Sequence, residues 1–122
     1  MSRHDDSIPL RHMLDHAEEA VAMIRNRSRP DLDRDRQFSL AVLKLVEIIG
    51  EAAFRVSQST RDAHRQIPWD KIIGTRHRLV HGYDTVDHEV LWDIVALDIP
   101  PLIEQLRAVL GVDNKQPPAV GG

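Results

Sequence analysis

The sequence predicts an all-α fold, a bundle of four to five helices in one domain, and three observations carry that prediction. Apolar residues recur at steps of three and four along most of the chain. No alternation of period two runs long enough to build a strand of consequence. Aromatic residues make up only 4% of the chain, so the core must be assembled from Leu, Ile, Val and Ala, which suits helices packed on helices. At 122 residues there is room for one domain and one hydrophobic core. Residues 1–112 are expected to form the bundle and 113–122, rich in Pro and Gly, a disordered tail.

Taken in order, Ser7 is placed as an N-cap with Pro9 in the first turn. Leu10, Met13, Leu14, Ala17, Val21 and Ile24 then form one apolar stripe on a helix running to about Asn26. Pro30 and the charges of Asp31 to Arg36 mark a break and a new start. The second helix is the longest, with Phe38, Ala41, Val42, Leu45, Ile48, Ile49, Ala52, Ala53 and Val56 facing inward. Gly50 costs that helix about 1 kcal/mol in propensity, and its small size would let a neighbouring helix approach closely. Ser57 to Pro68 shows no period and is expected to be loop or an irregular turn. Trp69 to His81 reads as a third helix ended by Gly82, with Trp69 as a packing anchor at its start. Asp87 caps a fourth helix carrying Val90, Leu91, Ile94 and Val95. Pro100 and Pro101 interrupt it before a last short helix with Leu102, Ile103, Leu106, Val109 and Leu110.

Composition narrows the function classes. The absence of cysteine excludes disulfides and thiolate–metal sites and fits a reducing compartment. No apolar run approaches the roughly 20 residues needed to cross a bilayer, and acidic residues stand where a signal peptide would be apolar. A cytoplasmic protein with no membrane association is the expectation. The net charge of −3 argues against a surface that coats nucleic acid generally. Its distribution is uneven, however: residues 61–81 carry Arg61, Arg65, Lys71, Arg76 and Arg78 against only Asp62 and Asp70. Such a segment is either a local anion site or a solvated helix face.

The stretch Arg76-His77-Arg78-Leu79-Val80-His81-Gly82-Tyr83 holds the chemistry. An unperturbed imidazole titrates near neutral pH, so His81 is a candidate to carry a proton. Arg76 can hold a phosphate in a bidentate fork and stabilise charge building on it. Tyr83 is the only tyrosine in the chain. On an ideal helix five residues separate Arg76 from His81 by about 140°, so one helix face cannot present both. Convergence requires loosening at Gly82 or a second subunit. His77 and His81, four apart, would share a face and could bind a metal, although such a pair is more often coincidence. Glu51 either orients an arginine or lies on the polar edge of its helix. His12, His16 and His64 are most simply surface residues.

From about Ile8 to Leu106 the sequence resembles the HepT-like group of HEPN-domain proteins. The resemblance is carried by Ile48-Ile49-Gly50-Glu51-Ala52-Ala53, Ile67-Pro68-Trp69, Arg76…His81-Gly82-Tyr83, Val86-Asp87 and Leu91-Trp92, in that order and spacing. It implies a helical bundle that pairs as a homodimer, with two Arg…His motifs lining a cleft between subunits. It further implies a metal-independent RNA endonuclease, without cofactor, acting as the toxin of a toxin–antitoxin pair. The implied partner is an MntA-like nucleotidyltransferase antitoxin that transfers AMP to the motif tyrosine. Carried onto this chain, the catalytic pair is Arg76 and His81 and the AMP acceptor is Tyr83; His77, beside the motif arginine, and Glu51, beside Gly50, are candidate auxiliary residues from their own chemistry. The family usually has Asn after the motif arginine, whereas this chain has His77. That departure keeps open an alternative: a catalytically silent module that binds nucleotide or docks the nucleotidyltransferase.

Overall fold

The computed structural model describes residues 5–81, of His81 the backbone only, and 85–112. The predicted tail and Gly82 to Asp84 lie outside these residues. In chain order the elements are α1 (Ser7–Ile24), α2 (Pro30–Arg34), α3 (Arg36–Arg55), α4 (Gln58–Ala63), α5 (Trp69–Ile73) and α6 (Thr75–Leu79). A two-residue ladder of β1 (Val80–His81) and β2 (Thr85–Val86) follows. Then come α7 (His88–Asp93), a π-helical segment (Ile94–Asp98) and α8 (Ile99–Leu110). The protein is all-α in architecture, as the periodicity requires.

The scaffold is α1 laid against α3 and α8. Met13, Ala17 and Ala20 of α1, Val42 and Ala53 of α3, and Leu106 of α8 are completely excluded from solvent. Each large aliphatic side chain buried in this way contributes about 1.5–3 kcal/mol of apolar transfer free energy. Helix α1 starts one residue earlier than expected. Asp6 occupies the N-cap position, and Ser7, in the first turn, donates from its amide and hydroxyl to the Asp5 carboxylate at 3.0 and 2.6 Å. Asp6 itself reaches across the fold, accepting from the Ser57 amide at 2.9 Å and the Ser57 hydroxyl at 2.6 Å. Asn26 ends α1 at φ 65°, a left-handed conformation that its short polar side chain tolerates.

Four expectations are corrected by tertiary context. The break after Pro30 holds a short helix, α2, which buries Leu32. The polar stretch after Ser57 contains α4, whose start is capped by the Ser57 hydroxyl accepting from the Thr60 amide. The third helix is not continuous. It divides at Gly74 into α5 and α6, and the Thr75 hydroxyl turns back to donate to the Lys71 carbonyl at 3.0 Å. A Cβ on Gly74 would lie 3.0 Å from the Asp70 carbonyl oxygen, a tight contact that glycine avoids at the division. The chain then leaves helix altogether at Val80, where it pairs with Val86. Finally, Pro100 and Pro101 do not interrupt the last helices. They fall in the first turn of α8, after a π-helical segment in which the Ile99 amide donates to the Ile94 carbonyl, five residues back.

Two details confirm local readings. The Asp87 carboxylate caps α7 by accepting from the Val90 amide at 3.1 Å. Gly50 permits close approach: a Cβ there would lie 3.2 Å from the Ile72 carbonyl oxygen of α5. The short α5 thus rests directly on the middle of α3.

Candidate active-site groove

Helix α6 is held by Leu79, which is 1% exposed, and by Thr75, also buried. Between these anchors Arg76 and His77 face outward. Arg76 opens into a groove of about 640 Å³ between α6 and the exposed side of α3. Lys44, Glu47, Glu51, Phe54 and Arg55 form its α3 wall, and Gly50 and Ile72 its floor.

The five cations of the basic segment are not equivalent. The Arg61 Nε donates to the Val56 carbonyl at 3.1 Å. Arg65 lies 3.9 Å from Asp62. Lys71 and Arg78 share one oxygen of Asp98, each at 3.4 Å. Among the described residues only Arg76 of the five makes neither an ion pair nor a side-chain hydrogen bond. An exposed guanidinium held on a short anchored helix, with its five donors unused, is suited to an incoming phosphate.

The other sequence-predicted residues fall as follows. Glu51 lines the same groove but makes no ion pair with Arg76; it lies exposed on the polar edge of α3. His77 is exposed beside Arg76 and outside the groove wall. The His81 backbone pairs with Thr85 in the ladder. The helical-wheel separation of Arg76 and His81 therefore does not apply, since the helix ends at Leu79. The same change removes the shared helix face that a His77–His81 metal pair would need, and no group of three metal-ligating side chains occurs among the described residues. The His81 side chain and Tyr83 lie outside the described residues. Trp69 is buried and its indole donates to the His64 carbonyl at 3.0 Å, so it is a packing anchor. His12 is exposed, and His16 and His64 are half-buried.

Sequence reasoning missed the outer face of α3. Leu40 and Phe54 are 48% and 67% exposed, and Leu43 is half-buried. At 100° per residue Leu40, Leu43, Glu47 and Phe54 fall within about 60°, so they make one outward stripe that runs into the groove. The signal was available: three large apolar residues stand off the core stripe of the longest helix.

The described residues thus place an anchored helix bearing an unpaired arginine just before a histidine whose backbone lies in a tight ladder. Comparison with known proteins identifies the family. The ribonuclease HepT-like family model matches residues 13–109, and the chain belongs to this family. A protein of Caldanaerobacter subterraneus subsp. tengcongensis, described as a candidate RNase, is 31% identical over 101 residues, covering 83% of this chain and 90% of its own length. A candidate ribonuclease HepT of Thermococcus cleftensis is 36% identical over 101 residues, 77% of this chain and 92% of its own. A candidate RNase of Methanocaldococcus jannaschii is 28% identical over 109 residues, 89% of this chain and all of its own. No solved structure gave a significant match. No helix among the described residues is long and apolar enough to cross a membrane.

Proposed function

We propose that the chain is a metal-independent endoribonuclease and the toxin of a toxin–antitoxin pair, with Arg76 and His81 of two copies meeting in a shared cleft. Family membership supports the ribonuclease class. The observation that carries the site is Arg76, which alone among the five cations of the basic segment has no ion pair or side-chain hydrogen bond among the described residues, at the edge of a groove of about 640 Å³.

In this reading the ribose 2′-hydroxyl attacks the adjacent phosphorus and its proton passes to His81. The bond from phosphorus to the 5′-oxygen breaks, and the leaving oxygen takes up a proton, giving a 2′,3′-cyclic phosphate and a 5′-hydroxyl. Arg76 neutralises the charge on the non-bridging oxygens as the phosphorane forms. Pairing of two copies is supported by the stripe of Leu40, Leu43 and Phe54, which is apolar, exposed and continuous with the groove. Tyr83, two residues beyond His81, is the AMP acceptor for an MntA-like nucleotidyltransferase. The added phosphodiester would compete with RNA for Arg76, and the adenosine would obstruct the cleft.

The test is cleavage of RNA by purified protein in the presence of a chelator, alongside sedimentation. Cleavage that persists in chelator and vanishes in Arg76→Ala and His81→Ala is expected, with a mass twice 13.9 kDa. Full activity of either variant, or of a monomer, would remove the composite site. Incubation with the nucleotidyltransferase and ATP should add AMP to the parent but not to Tyr83→Phe.

A further inference from the structure

A second cavity, of about 260 Å³, lies on the other side of the α5–α6 turn. Val46, Ile72 and Thr75 line both cavities, so the segment that presents Arg76 to the groove is also the wall of this pocket. Its interior is aliphatic, with Ile49, Ile94, Ile99 and Leu102 from α3, the π-helical segment and α8. Its mouth carries Lys71, Arg78 and Asp98, together with Leu97, which is 66% exposed. Gln66 and Gln105 complete the lining, the Gln105 amide donating to the Gln66 carbonyl at 2.9 Å.

The charges at the mouth are incompletely balanced. One oxygen of Asp98 serves both Lys71 and Arg78 at 3.4 Å, longer than the roughly 2.7–2.9 Å of a tight charge-assisted contact. Two cations against one carboxylate leave an excess positive charge beside an apolar cavity. The side chains are between 33% and 50% exposed, so both cations can turn toward an incoming anion. The π-helical segment places exposed Leu97 next to Asp98, giving the mouth an apolar lip as well as a charged one. The volume is close to the lower end of small-molecule pockets, about 300 Å³, and far below what a folded partner would fill.

We propose that this pocket binds a small amphipathic anion: a ring system with apolar faces bearing one phosphate or carboxylate. The ring enters against the aliphatic wall and the anionic group pairs with Lys71 and Arg78. A nucleoside monophosphate and an aryl carboxylate share this chemistry. The site is separate from the ribonuclease reading and stands or falls without it.

The experiment titrates the full-length chain with anilinonaphthalene sulfonate at low ionic strength, following fluorescence, and then adds AMP or naphthoate as competitor. Saturable enhancement is expected. The double variant Lys71→Met, Arg78→Met should weaken it by about tenfold or more, as loss of two charge-assisted contacts requires. Leu97→Asp should weaken it too, whereas Phe54→Ser, on the α3 stripe, should leave it unchanged. Displacement by AMP alone assigns the phosphate ligand, by naphthoate alone the carboxylate, and by both the shared chemistry. Dye affinity untouched by the double variant overturns the proposal, as does loss in Phe54→Ser instead, or failure of both competitors to displace the dye.

Discussion

Arg76 and Arg78 stand two residues apart on one five-residue helix, yet the fold treats them oppositely. Arg78 faces the pocket side, where Asp98 of the π-helical segment holds it together with Lys71. Arg76 faces the groove side, where the nearest wall is α3 and no carboxylate among the described residues pairs with it. The groove wall is not devoid of acid, since Glu47 and Glu51 both line it. What differs is commitment: one side of α6 is tied into the bundle and the other presents a cation whose charge is unspent. A phosphate arriving at Arg76 need not displace an internal partner, whereas one arriving at Arg78 must compete with Asp98. The identity of the residue does not make the site; the neighbour does.

The difference between the two arginines bears most heavily on catalysis. Arg76→Ala should lower RNA cleavage by about 100- to 1,000-fold, the usual loss on removing a group that stabilises transition-state charge, with the thermal midpoint nearly unchanged. Arg78→Ala should do the reverse, leaving cleavage within a few-fold and costing less than about 1 kcal/mol of stability, because its partly exposed ion pair is screened. Equal loss of cleavage in both variants, in matched assays with circular dichroism melts, would erase the distinction.

Next in size is the anchor. Leu79→Ala, at a position 1% exposed, should destabilise by about 2–5 kcal/mol in urea unfolding and loosen α6 from both sides together. Gly50→Val should follow. Its Cβ would meet the Ile72 carbonyl oxygen at 3.2 Å, and pushing α5 off α3 should cost about 1–3 kcal/mol. Cleavage should fall in Gly50→Val more than stability alone explains, since α5 leads directly into the helix of Arg76; retention of full specific activity in the folded fraction would deny that link.

The smallest effect is electrostatic and remote from α6. Asp33 is held below the ordinary 3.8 by the hydrogen bond from His88, with Arg29 adding to it. Asp31 is lowered likewise, chiefly by the Ser28 amide. A depressed folded-state pKa stabilises the fold above the unfolded value and loses that contribution as pH falls through the lowered one. Stability should therefore decline on acidification below the ordinary carboxylate range. Asp33→Asn should flatten part of that decline in urea melts at successive pH values, and an unchanged acid limb would show that the contact with His88 contributes nothing.

Much of the bundle was legible because burial and helical period coincide on α1, α3 and α8. Leu10, Met13, Leu14 and Ala17, or Val42, Leu45, Ile49 and Ala53, repeat the period and are buried where it places them. Local capping chemistry was legible for the same reason: Asp87 needs only the next three residues to act. The motif Arg76…His81 was also visible, as residue types whose chemistry suits a phosphate. Its geometry was not. Reading Trp69 to His81 as one helix followed from Ile72, Ile73, Leu79 and Val80, and nothing local announced that α5 would rest on Gly50 or that Val80 would pair with Val86.

The sequence by itself determined the fold class, the core stripes and the short list of reactive side chains, because these depend on residue type and on contacts within one or two helical turns. Tertiary structure alone decided which of five nearby cations stays uncommitted. Asp98 lies 20 residues beyond Arg78 and 27 beyond Lys71, and it pairs with them only because the π-helical turn brings it to the α5–α6 side of the bundle. Coulomb attraction depends on distance in space, and no periodicity along the chain records which carboxylate the fold delivers to which arginine.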